Sequence, residues 1–149
     1  MHGFLSLATV VIGSTLLLAP LGAQARETEH NLSAEAAATS DFGVARLYDV
    51  PFFMKNQKHP KVLKILSEAT SEQSTRGAFR SDEASCQVAF LSCLRDLQER
   101  ARAKGGNAIV DLVSITWNKQ TESATDFRCI AGSMVVHVGL KGKIVKIAE

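Results

Sequence analysis

Three cysteines, Cys86, Cys93 and Cys129, are the residues whose type and spacing most readily suggest chemistry. Cys86 and Cys93 are seven positions apart in a segment of helical periodicity. That spacing puts them about 10 Å apart along a helix axis, whereas a disulfide needs Cα atoms within about 7 Å. In an oxidising compartment the bond is therefore Cys86–Cys129 or Cys93–Cys129. Either pairing would tie a helix to a later strand and stabilise the fold by about 4 kcal/mol on the chain-entropy account. A thiol left over on the apolar stripe of that helix is buried and inert.

There is no C-x-x-C, H-x-x-x-H, G-x-S-x-G or G-x-x-x-x-G-K-[ST] run, so no metal, serine-hydrolase or phosphate-loop signature is met. His30, His59 and His137 are scattered, and His137 stands about 26 Å from Cys129 along a straight strand. His137 reads as a sheet residue, and no metal ligands, catalytic residues or cofactor are expected. Gly105-Gly106-Asn107 closes a helix and opens a strand, the reverse of a phosphate cradle, and reads as a helix C-cap turn. Asp111 interrupts an apolar strand and reads as a strand-end or edge position open to water. Lys141, Lys143 and Lys146 read as a solvated edge that discourages strand-to-strand aggregation.

The balance of 17 basic and 15 acidic residues, with one Trp and one Tyr, offers neither the basic face nor the aromatic platforms of a nucleic-acid binder. Residues 1–25 contain no Lys, Arg, Asp or Glu. An apolar stretch, Phe4 to Leu18, is followed by Pro20 and Gly22, then Ala23-Gln24-Ala25 and the charged Arg26-Glu27. This is the layout of a secretory signal peptide cleaved after Ala25, with Ala23 and Ala25 at the positions a signal peptidase reads. The uncharged run approaches the roughly 20 residues of a membrane span, but the breakers and the A-x-A signature favour removal. A periplasmic or secreted location follows, with no stable membrane span after signal removal.

Residues 26–43 are polar and Ala-rich, and read as a flexible leader. Val44 to Met54 reads as an edge strand broken by Pro51. Lys61 to Ala69 has apolar residues at helical spacing, and Thr70 to Arg80 reads as a polar loop. Ser81 is an N-cap for a helix over residues 82–104, with Cys86, Phe90, Cys93, Leu94, Leu97 and Ala101 on one stripe. Ala108 to Trp117 reads as a strand. Phe127 to Leu140 reads as another, with Gly132 a bulge and Ile130, Met134, Val136, Val138 and Leu140 on its apolar face. Lys141-Gly142 then turns, and Lys143 to Ile147 extends the sheet. The expected fold is a single α+β domain over 44–149, one long amphipathic helix packed on a mostly antiparallel sheet.

The run SDEASCQVAFLSCLRDLQERARAKGGNAIVDLVS, followed by DFRCIAGSMVVHVGLKG, resembles a family of small exported bacterial proteins often labelled "excinuclease ATPase subunit". The resemblance rests on Cys86, the AFLS helix segment, Gly106-Asn107-Ala108 and Cys129-x-Ala131-Gly132. The label does not suit this chain, which is short and lacks a P-loop. A more distant likeness is to YbjQ-type putative heavy-metal-binding proteins and to the Rcs stress-sensor lipoprotein. The resemblance implies that Cys86 and Cys129 form the disulfide, that Cys93 is the free thiol, and that Lys61–Ala69 is a strand. The ring-forming YbjQ-type relatives add self-association to what the resemblance implies. The export signal, the stapled α+β domain and the lack of a reactive constellation point to an exported, non-enzymatic protein acting through an envelope protein partner or self-association, in stress sensing or homeostasis. A small-ligand or heavy-metal-binding module on an oligomeric ring is the alternative.

Overall fold

In a computed structural model, residues 25–77 and 80–149 are described. Residues 1–24, with Ala23 of the expected signal peptide, lie outside them, and Ala25 begins them as an exposed residue. The elements are β1 (Thr28–Ser33), α1 (Ala34–Thr39), α2 (Asp41–Arg46), β2 (Phe52–Met54), β3 (Val62–Arg76), α3 (Asp82–Ala103), β4 (Ala108–Ser114), a 3-10 turn (Thr116–Asn118), β5 (Asp126–Ala131) and β6 (Val135–Ile147). The fold is α+β. One long helix, α3, packs on a six-stranded, mostly antiparallel sheet.

Helix α3 follows from its sequence at both ends. The Ser81 hydroxyl accepts a hydrogen bond from the Ala84 N–H at 3.1 Å, and Asp82 and Glu83 place negative charge in the first turn. At the other end Gly105 takes φ +73°, a conformation glycine adopts without steric cost. The Gly106 N–H then reaches back to the Ala101 carbonyl at 2.8 Å, as in a Schellman cap. Between the ends, Cys86, Phe90, Cys93, Leu94, Leu97 and Ala101 are all fully buried against the sheet. Phe90 stacks on Phe127 of β5 with ring centroids 4.2 Å apart.

The sheet runs in the order β1-β5-β6-β4-β2, with β3 along the other side of β6. Strand β6 is thus central, pairing with β3 on one side and with β5 and β4 on the other. Only β2 and β4 pair in parallel. On the face away from α3 a smaller cluster, Ala108, Val110, Val145 and Ile147, is covered by Phe53 and Val62.

Several local expectations are corrected. The leader over 26–43 is built into the domain: β1 pairs with β5 from Thr28↔Ala131 to Ser33↔Asp126, and α1 buries Ala34 and Ala37. Small alanines pack closely enough to need no large apolar side chain, and the outer edge of β5 supplies hydrogen bonds that composition does not reveal. Val44 to Arg46 ends α2, and the strand is only Phe52–Met54.

Strand β3 covers both the helix-like stretch and the supposed loop. Register shifts between Val62 and Lys64 and between Ile65 and Ser67 break its period of two. These bulges explain why the apolar residues fall at apparent helical spacing. Beyond them Ala69 and Ser71 are buried while Glu68, Thr70, Glu72 and Ser74 are exposed, a strand alternation written in small and polar residues.

Phe127–Leu140 is a hairpin, not one bulged strand. Gly132 to Met134 form its turn, closed by the Gly132 N–H on the Val135 carbonyl at 2.8 Å. Ile130 pairs with His137 and Ala131 with Val136. Phe127, Cys129 and Ala131 join the helix-side core with Val136, Val138 and Leu140, Ile130 lies with His137 on the other face, and Met134 is exposed in the turn. Lys141-Gly142 does not turn; Gly142 lies within β6, where the Ile109 side chain leaves no room for a Cβ.

Candidate functional site

The structure joins Cys86 of α3 to Cys129 of β5, with Cα atoms 5.8 Å apart across a separation of 43 residues. Both are fully buried, so the bond is a staple between the two layers of the core. Cys93 is free and buried. Its Sγ lies 3.3 Å from the Val138 carbonyl and 3.5 Å from that of Ser71. Burial pushes its thiol up to about 12, which leaves almost no thiolate at neutral pH.

Gly105, Gly106 and Asn107 form the C-cap and do one thing more. The Asn107 carboxamide accepts from the Ile147 N–H at 2.8 Å and donates to the Ile147 carbonyl at 3.2 Å. It thereby pins the end of β6 to the helix exit, a structural role with no ligand in it.

Asp111 is at an internal irregularity of β4, with φ 52°, and not at a strand end. Lys143 Nζ donates to it at 2.8 Å and Lys55 Nζ lies 3.8 Å away. The Lys143 ammonium holds the Asp111 carboxyl below its usual range. Lys141, Lys143 and Lys146 lie on the central strand β6, so they guard no sheet edge. The histidines stay apart: His30 is 3.2 Å from Asp82, His59 Nδ1 is 2.8 Å from the Pro60 carbonyl, and His137 Nδ1 is 2.6 Å from the Ser74 hydroxyl. Among the described residues no three His, Cys, Asp or Glu side chains gather as a metal site.

The arrangement best suited to bind something is a groove of about 330 Å³ on the face away from α3. Glu72, Gln73 and Ser74 come from β3, His137 and Gly139 from β6, and Thr116, Trp117 and Asn118 from the 3-10 turn. Trp117 and Asn118 have φ 54° and 55°. For a bulky residue such as Trp this left-handed backbone is strained, by about 1–3 kcal/mol.

Thr116 is the anchor that holds the turn. It is buried; its hydroxyl donates to the Arg128 carbonyl at 2.9 Å and accepts from the Gly139 N–H at 3.0 Å. The buried Arg128 guanidinium donates to the Thr116 carbonyl at 2.8 Å, and its Nε is ion-paired with Glu29 of β1 at 3.0 Å. That guanidinium lowers the Glu29 pKa. Gly139 makes room, since a Cβ there would stand 3.2 Å from the Ile115 and Thr116 backbone. The result is an indole that is 49% exposed, held at 5.7 Å from the His137 ring.

Of the sequence-derived residues, Cys86 and Cys129 are brought together, Gly105 to Asn107 form their turn, and His137 enters the groove. Its other members were not anticipated. Glu72 and Ser74 belong to the stretch whose polarity suggests a loop, and Trp117 ends the stretch whose β-branched residues suggest a strand. The available signal was a lone Trp followed by Asn, a residue that tolerates the left-handed region.

No protein-family model matches the chain, and no curated protein matches it. Among the described residues no helix is long and apolar enough to cross a membrane.

Proposed function

We propose that the chain is an exported, non-enzymatic protein that works by protein contact in the periplasm or cell envelope, in stress sensing or homeostasis. The observation that carries the contact reading is the outer edge of β3. Among the described residues no strand pairs with it over 15 residues, and Leu63 and Ile65 on it are more than half exposed. An unpaired edge with apolar side chains is a surface that another chain can extend or cover. The Cys86–Cys129 bond supports export, because buried structural disulfides belong to oxidising compartments. The N-terminal signal layout and the resemblance to small exported proteins point the same way.

Crosslinking in the native envelope, with mass spectrometry, tests the reading. The expected result is a crosslink mapped to β3, to a second copy or to an envelope protein, that is lost in the Leu63→Lys, Ile65→Lys double variant. The same spectra are expected to place the mature N-terminus near Arg26. An intact Met1 on a soluble cytoplasmic protein, or clear turnover on a hydrolase panel, would overturn it. The Trp117 groove favours a second reading, a small-ligand module.

A further inference from the structure

We infer that the groove between Trp117, His137 and Glu72 is a binding site for a neutral, hydroxyl-rich saccharide. It goes beyond contact at the β3 edge and can stand or fall without it.

The groove is built rather than incidental. Thr116, Arg128 and Gly139 together force a bulky aromatic residue into a backbone conformation it disfavours, and the outcome is a half-exposed indole. Strain of this kind persists where the surroundings over-determine it, and it clusters at ligand sites. Hydrophobic packing cannot be the purpose, since half the ring faces solvent. An amphipathic ring at a polar cleft is suited to ligands with one apolar and one polar side.

The lining decides the ligand class. It contains one carboxylate (Glu72), one carboxamide (Asn118), the Ser74 hydroxyl and an imidazole, with Gln73 contributing backbone from the other side of the alternation. No Lys or Arg lines it, which disfavours phosphorylated and other anionic ligands, whose recognition relies on such cations. One tryptophan with one carboxylate is too few rings for a quaternary ammonium cage. What remains is a neutral ligand with several hydroxyls. Its C–H face would lie on the Trp117 indole, and its hydroxyls would bond Glu72 and Asn118. The Ser74 hydroxyl occupies His137 Nδ1, which leaves His137 Nε2 without a hydrogen-bond partner among the described residues and available to a hydroxyl.

Trp117 is the only tryptophan of the 149 residues, so its emission reports on this groove alone. The full chain would be expressed and exported in a bacterial host, and the purified protein titrated with tetramers of β-1,4-linked N-acetylglucosamine, β-1,4-linked glucose and α-1,4-linked glucose. Choline would be the cationic control. The expected result is a saturable emission change with at least one tetramer, with a Kd below about 1 mM. Glu72→Gln, on an exposed residue, is expected to weaken binding about tenfold with an unchanged melting temperature. Trp117→Asn keeps a residue that accepts the left-handed backbone and removes the ring; calorimetry is expected to show binding lost while circular dichroism is retained. No saturable change with any tetramer would overturn the inference. Saturation by choline alone, or tetramer binding that survives both substitutions, would overturn it equally.

Discussion

The two faces of the sheet are made by different means. The face under α3 is closed by Phe90, Leu94, Leu97, Phe127, Val138 and Leu140, all at most 1% exposed, and locked by the Cys86–Cys129 staple. Beyond the small apolar cluster under Phe53 and Val62, the opposite face carries Glu68, Glu72, Ser74, Asp111, Trp117, His137 and Lys143, held by ion pairs and hydrogen bonds in contact with water. Apolar burial and a covalent bond resist disruption strongly, whereas exposed ion pairs contribute little. Most of the stability should therefore reside on the helix side. The other face is free to vary its chemistry.

This contrast is broken most severely at the staple. Cys86→Ala is expected to cost about 4 kcal/mol, the chain-entropy value for the loop it closes. Urea unfolding of the variant, and of the wild-type protein with and without reductant, measures it. Leu94→Ala, in the fully buried stripe, should cost about 3 kcal/mol in the same experiment, by lost transfer energy and the cavity left behind. Asn107→Ala removes both hydrogen bonds to the Ile147 backbone. A loss of about 1–2 kcal/mol is expected, with faster amide exchange at Ile147.

On the other face the effects should be smaller and depend on pH. The Asp111 pKa is lowered by Lys143. The stabilisation from this pair is therefore complete above the unfolded-state value of about 4 and fades as the pH falls through the lower folded value. The melting-temperature gap between wild type and Asp111→Asn should be present at pH 7 and should close at acidic pH. Glu72→Gln should change stability by no more than about 0.5 kcal/mol. A large loss there would erase the distinction between the faces.

The helix side was legible because its signals are local and redundant. Ser81, the acidic first turn, the stripe from Cys86 to Ala101 and the Gly105 cap all agree on α3. Strand β3 was not legible, because two bulges imitate helical spacing and its buried positions are Ala69 and Ser71. The 26–43 stretch misled for a related reason, since backbone pairing with β5 orders β1 without a hydrophobic signature.

By itself the sequence determined the α+β class, the long capped helix and, from helix rise alone, that Cys86 and Cys93 cannot bond to each other. Those follow from distances along one segment. Tertiary structure decided which cysteine meets Cys129, that β6 is central and not an edge, and that Glu72, Ser74, Trp117 and His137 share one groove. Each of these depends on strand pairing and register between segments far apart in the chain, which no local pattern encodes.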